Sequence, residues 1–236
     1  SGVIYVDNMH GWNMVGLPLY LEDTNYLNIY PNAQAGTLFS FSGTYQSEDS
    51  LEVGKGYLLR FNMSDVTIFS GLEITEITIP VEEGWNIISG LTAPVDAEMV
   101  YASGIISTGT IFGFSGTYFS SETIEPGRGY WVRAVSDGDI FLSSTVGLTK
   151  QVVSSFTFEG QNTLEFSDGT HTNTLYFGSE IPENEQLSYG LPPKFPGMTF
   201  DVRFSADMNH AHESGEIVVL NHSETLTIGY DINIEA

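Results

Sequence analysis

The chain of 236 residues contains no cysteine, which excludes a disulfide scaffold and any thiolate metal site. Its 41% hydrophobic and 13% aromatic content is that of folded domains with real cores, not of a disordered chain. Against 7 basic residues stand 30 acidic ones, a net charge of −23 that repels nucleic acid and anionic lipid and argues against both as partners.

No apolar run approaches the roughly 20 residues that span a bilayer, so no membrane insertion is expected. The chain opens Ser-Gly with neither Met nor a signal-like segment, which reads as a processed product or a piece of something larger.

In chain order, Val3-Ile-Tyr-Val6 reads as a short strand leading into His10-Gly-Trp-Asn13 and the apolar run Met14-Val-Gly-Leu17, closed by Pro18. The polar stretch from Tyr20 to Gln34 allows a short helix. Thr37-Leu-Phe-Ser-Phe41 reads as a strand and Ser-Gly-Thr as its turn; Gly54-Lys-Gly-Tyr57 then introduces another apolar strand. The same order returns 73 residues later. Ile77-Thr-Ile79 leads into Glu83-Gly-Trp-Asn86, Asp96-Ala-Glu-Met-Val-Tyr101 is the best helix candidate, and Thr110-Ile-Phe-Gly-Phe114 precedes Gly127-Arg-Gly-Tyr130.

Phe39-Ser-Phe-Ser-Gly-Thr-Tyr45 and Phe112-Gly-Phe-Ser-Gly-Thr-Tyr118 differ at one position, and 18 of the 50 positions in 11–60 are identical to 84–133 without a gap. Such a match marks a duplicated unit. Two copies are too few for a solenoid, so the copies are expected to pair about a pseudo-two-fold axis or to sit as tandem small β domains.

Beyond Lys150 the pattern changes. Val152, Ser154, Phe156 and Phe158 share one side of an extended segment, and Thr163-Leu-Glu-Phe166 and Thr174-Leu-Tyr-Phe177 flank the turn signal Asp168-Gly169. After a Pro-rich connection, strands are expected at Phe200–Phe204, Glu216–Leu220 and Leu226–Ile234, together an Ig-like β-sandwich. The predicted fold class is therefore all-β with at most short helices: a duplicated β unit plus a C-terminal β-sandwich. The predicted boundaries are 1–75, 76–149 and 150–236, with the two repeats free to form one domain.

Candidate site residues follow from residue chemistry. Tyr45, Tyr118, Phe119, Tyr130 and Trp131 are the candidates for an aromatic platform that stacks on sugar rings, with Tyr45 and Tyr118 expected to be partly exposed. The core is the stronger reading for Tyr57 and Tyr130, and Trp12 and Trp85 are expected to pack inward. Lys55 and Arg128, and Arg60 and Arg133, fall at repeat-equivalent positions and read as structural ion pairs, with Glu52 and Glu125 as natural partners of the first two. His210, His212 and Glu213, with Asp207 and His222 nearby, form the one cluster with metal-ligand character, though solvated loop histidines explain it better. Asp137-Gly-Asp139 and Asp168-Gly169 could offer oxygen ligands to Ca²⁺ as the His210–His212 pair could to Zn²⁺ or Ni²⁺; turn formation explains the aspartates better, and no cofactor is expected. No nucleophile elbow, phosphate loop or His-Glu-x-x-His is present, so no enzyme activity is expected.

Gly84-Trp-Asn86 followed by Glu125-Pro-Gly-Arg-Gly-Tyr-Trp-Val132 resembles a repeat of bacterial extracellular multidomain proteins. The first copy keeps Gly11-Trp-Asn13 and Gly54-Lys-Gly-Tyr57 but has Leu58 where the second has Trp131. Leu175-Tyr-Phe-Gly178, Tyr189-Gly-Leu-Pro-Pro193 and Phe200-Asp-Val-Arg-Phe204 resemble a domain that precedes C-terminal sorting tails in secreted proteins of Bacteroidota. These resemblances imply an extracellular or cell-surface location and no particular activity. The expected function is a non-catalytic accessory module of a larger secreted protein, binding polysaccharide through exposed aromatics. The alternative is a structural stalk or attachment module whose partner is another extracellular domain or protein.

Overall fold

The alternating pattern around Val3-Ile4-Tyr5-Val6 becomes the strand Gly2–Asn8 of an all-β chain. In the computed structural model, residues 1–144, 161–195, 197–221 and 224–233 are described. The predicted extended segment from Val152 to Phe158 lies outside them. Helical structure among the described residues is confined to Tyr26–Ile29, Ala97–Tyr101 and the 3-10 turn Glu183–Tyr189. The first two start as expected of short helices: Asn25 and Asp96 accept from the amides of Leu27 and Glu98 and satisfy an otherwise unpaired donor.

The chain divides into two compact units: Ser1–Ser115 with Phe119–Val153, and Gly116–Tyr118 with Ser154–Ala236. The first repeat and all of the second except Gly116–Tyr118 therefore lie in the first unit. Each repeat supplies a four-stranded sheet in the same strand order, Thr44–Ser47, Phe39–Ser42, Gly56–Phe61 and Gly11–Gly16 in one, and Tyr118–Ser120, Phe112–Phe114, Gly129–Ala134 and Gly84–Ser89 in the other. Their registers agree at the 73-residue offset. Trp12 stands opposite Arg60 and Trp85 opposite Arg133. Each repeat adds a second, smaller antiparallel pairing, Gly2–Asn8 with Asp65–Glu73 and Glu76–Val81 with Gly138–Ser143.

The repeated motifs are explained by local hydrogen bonding. In Gly-Trp-Asn, the Asn13 side chain accepts from the Met9 amide at 3.0 Å and donates to the Met9 and Gly11 carbonyls at 2.8 and 3.1 Å. Asn86 does the same with Glu82 and Gly84. The intervening Gly11 and Gly84 take φ of 90° and 100°, a conformation that side chains resist. In Gly-Lys/Arg-Gly-Tyr, the hydroxyls of Tyr57 and Tyr130 accept from the amides of Glu52 and Glu125. These motif residues are framework.

The repeats also meet each other in a reciprocal way. Gly16 donates its amide to the Gly127 carbonyl at 3.1 Å, and Ser89, the counterpart of Gly16, donates to Gly54, the counterpart of Gly127, at 2.8 Å. Val15 bridges to Arg128 as Ile88 bridges to Lys55. At the centre Gly56 faces its own counterpart Gly129: a Cβ on Gly56 would lie 3.1 Å from Gly129 Cα, and one on Gly129 would lie 3.4 Å from Gly56 Cα. A contact whose mate recurs with the roles exchanged is the pattern that a two-fold relation produces.

Among the described residues of the first unit, each repeat gathers an apolar cluster. One gathers Val15, Leu17, Leu38, Tyr57, Leu59, Phe61 and Phe69; the other gathers Ile88, Leu91, Ile111, Tyr130, Val132, Ile140 and Leu142. Val53 packs against both. Each fully buried aliphatic or Phe side chain contributes about 1.5–3 kcal/mol, so each repeat holds a core of its own.

In the second unit, Asn162–Ser167 and Thr172–Phe177 form the expected hairpin across Asp168-Gly169. Thr227–Asp231 flanks the first strand antiparallel, and His210–Ala211 flanks the second in parallel. Phe200–Phe204 pairs with Ile217–Asn221. Phe166, Leu175, Phe200, Val202 and Phe204 make its core. Every residue of Phe200–Phe204 is buried, including both charges. Arg203 is tolerated because Asp201 holds it through two bonds of 2.6 and 2.8 Å, while the Pro192 carbonyl and the Asp207 carboxylate accept from its Nη1.

Candidate functional site

The proposed aromatic platform does not assemble. Trp131 is fully buried, packed edge-on against Phe41 at 4.9 Å and Trp85 at 6.1 Å, with Tyr45 at 6.5 Å. Tyr130 is buried and its hydroxyl is taken by the Glu125 amide. Burial raises its pKa, as it raises that of Tyr57 to about 12, so both remain neutral phenols. Tyr118 was expected to be partly exposed but is buried, at 6% exposure. Tyr45 is half-buried against Phe41. Of the five candidates, Phe119 alone is exposed, at 46%.

Phe119 lines the larger of two clefts formed where the repeats meet. This cleft, of about 750 Å³, has one wall from the second repeat, including Phe114, Phe119, Glu125 and Arg128, and one from the first, including Asp7, Met9 and Met14. A second cleft of about 390 Å³ has one wall from the first repeat, including Phe41, Gln46 and Lys55, and one from the second, including Pro80, Glu82 and Ile87. Apart from Glu125, each residue named for the first cleft has one in the second 73 residues away, so one cleft is the other's counterpart. The framework generates both; the side chains distinguish them.

The difference centres on one cross-strand pair. In the first repeat Ser40 stands opposite Gln46. At the same positions the second repeat carries Gly113 and Phe119, and a Cβ on Gly113 would lie 2.5 Å from Phe119 Cζ. The phenyl ring occupies the space that a side chain at 113 would need. It is thereby seated on backbone and leaves an apolar surface open to the cleft. Ser115, Ser120, Ser121 and Thr123 line the same cleft, as do the acidic residues Asp7, Glu122 and Glu125.

The cations differ as well. Lys55 pairs with Glu52 at 2.8 Å as expected. Arg128 instead donates to the Asp7 carbonyl of the other repeat. Arg133 lies over the Trp85 ring at 5.6 Å and has its pKa lowered by burial, so a cation–π contact replaces the expected ion pair. Arg60 is exposed opposite Trp12. Both tryptophans are half-buried and stack obliquely on Phe39 and Phe112 at 6.1 Å.

The histidine cluster is dispersed. His210 is buried against Tyr189, ring centroids 5.0 Å apart, with Nε2 3.3 Å from the Ser179 hydroxyl. His212 and Glu213 point to solvent, and Asp207 is engaged by Arg203. His222 lies outside the described residues. Among the described residues, no group of three or more His, Asp or Glu side chains is placed to hold a metal ion. Asp168 acts as a turn acceptor for the Thr170 and His171 amides, whereas Asp137 accepts from the Glu83 amide, 54 residues away in the chain.

Sequence reasoning missed Asp7, Met9 and Phe114 as cleft residues. Phe119 departs from the repeat, but so does Trp131, and only the structure separates the exposed ring from the buried one. Compared with known proteins, the chain matches no family model, no curated protein and no solved structure.

Proposed function

We propose that the chain is a non-catalytic accessory module of a larger secreted or cell-surface protein, and that the cleft beside Phe119 binds polysaccharide. The observation that carries this reading is the seating of Phe119 over Gly113 in one cleft but not in its counterpart. An exposed ring bordered by hydroxyls and carboxylates suits a neutral sugar, whose C–H face stacks on the ring while its hydroxyls bond the rim. The extracellular setting rests on the Gly-Trp-Asn and Gly-Arg-Gly-Tyr-Trp resemblance. The duplicated unit then acts as an internal dimer that holds two clefts, of which one has diverged into a binding site. The C-terminal unit is read as an Ig-like β-sandwich that joins this pair to the rest of the parent protein.

Affinity electrophoresis through a panel of plant, algal and microbial polysaccharides tests the reading. Retention should fall at least tenfold in Phe119→Ala and in the double variant Gly113→Ser/Phe119→Gln, which restores the first repeat's pair. Such a fall corresponds to about 1.4 kcal/mol. No retention on any polymer, or undiminished retention of both variants, would overturn it.

A further inference from the structure

A second surface sets the two repeats apart and does not depend on the cleft. On the outer face of the sheet formed by Gly2–Asn8, Asp65–Glu73 and Leu19–Tyr20, Val3, Tyr5, Val66, Ile68, Leu72 and Tyr20 are between 46% and 68% exposed. Register makes them neighbours: Tyr5 lies opposite Ile68, Val66 opposite Asp7, and Tyr20 opposite Leu72. The second repeat pairs its strands in the same register, Thr78 opposite Phe141 and Glu76 opposite Ser143. There the counterparts of Val3, Tyr5 and Val66 are Glu76, Thr78 and Asp139. At these three positions the second repeat is polar where the first is apolar, while Phe141, the counterpart of Ile68, stays apolar and 53% exposed. Scattered exposed apolar residues are ordinary, but a contiguous set on one sheet face marks an interaction surface.

The charge around this face selects the occupant. Asp7, Asp65 and Glu73 lie on its strands, Glu22 and Asp23 border it beyond Tyr20, and its three strands contain no Lys or Arg. A second copy would bring the same acidic rim and another net −23, so self-association is opposed by like charge. Val, Ile and Leu offer a sugar no hydrogen bonds. We propose that this face docks a protein surface with an apolar centre and a Lys/Arg rim.

The test uses the full chain and two fluorescent amphipathic peptides, one with Leu on one face and Lys on the other, one with Glu replacing Lys. Anisotropy is measured at physiological salt. The Leu/Lys peptide should bind saturably, and Tyr5→Thr/Val66→Asp should weaken it about tenfold or more. That variant installs residues the same strand pairing already carries in the second repeat. It also adds a carboxylate, so binding by charge alone would strengthen where docking weakens. Leu72→Ser is a second, milder variant expected to weaken binding in the same direction. Phe119→Ala should change nothing, which separates this surface from the cleft. Four results would overturn the proposal: no binding, equal binding of the Leu/Glu peptide, unweakened binding by both face variants, or a dimer in sedimentation velocity that Tyr5→Thr/Val66→Asp dissolves.

Discussion

Gly56→Ala tests how the two repeats are held together. The φ of Gly56 is not in the left-handed region, so alanine suits its backbone and elsewhere would stabilise slightly through the unfolded chain. Here the new Cβ would lie 2.5 Å from Ile87 Cγ2, 2.6 Å from the Ile88 carbonyl oxygen and 3.1 Å from Gly129 Cα. Two of those atoms are backbone and cannot swing aside, so relief requires the repeats to move apart. Overpacking of this kind costs about 1–3 kcal/mol. The reciprocal bonds from Gly16 to Gly127 and from Ser89 to Gly54 weaken with it, each contributing about 1 kcal/mol. The expected loss is therefore about 2–5 kcal/mol, or a fall of roughly 5–15 °C in unfolding midpoint for a unit of this size. Urea unfolding followed by tryptophan fluorescence measures it, since Trp131 is buried where the repeats meet. Gly43→Ala is the control. Its φ is +68° with nothing within 4 Å of the added carbon, so it loses only about 1–2 kcal/mol of backbone strain. A Gly56→Ala chain as stable as the parent, or less affected than Gly43→Ala, would refute the close approach of the two glycines.

Asn86→Ala should cost about 1–3 kcal/mol in the same assay, because it removes one accepted and two donated bonds that close the turn before Gly84. Asn86→Asp keeps the acceptor but neither donor and should not rescue; full rescue would show that the donated bonds do not matter. For pH, burial and then the charge of His212 hold the pKa of His210 below its ordinary value. A depressed folded-state pKa means that the unfolded chain binds the proton first. Stability from His210 is thus present above about pH 6.5 and is lost as pH falls through the folded-state value. His210→Gln should flatten the stability profile of the second unit below pH 6.5, and an unchanged slope would count against the burial of that ring.

Much of the frame is legible in the residues themselves. The all-β class, the repeat and its offset, the hairpin at Asp168-Gly169 and the strand at Phe200–Phe204 all follow from alternation, turn chemistry and self-similarity. The helix caps at Asn25 and Asp96 and the Lys55–Glu52 pair are similarly local. The reading of the site was less successful. Trp131 reads as a contact aromatic because the strand Gly129–Ala134 is apolar on both faces, and periodicity alone does not show that both faces are covered; Tyr130 is buried, in keeping with the core reading. Arg203 looks like a surface charge in an alternating strand, and only the placement of Asp201, Pro192 and Asp207 around it makes it a buried one.

What the sequence determined by itself is therefore the conserved geometry of short stretches: where glycine must turn the chain, where an asparagine closes that turn, and which strand follows. These features depend on hydrogen bonds and dihedral angles among residues a few positions apart. Which aromatic is hidden, which cleft carries Phe119 and which sheet face stays bare were decided by the tertiary structure. They depend on contacts that the string of residues does not display, such as Tyr5 with Ile68, Phe119 over Gly113 and Phe41 with Trp131. Gly56 and Gly129 show the reason most directly: each is an ordinary strand glycine by sequence, and only the approach of one backbone to the other makes the absence of a side chain necessary.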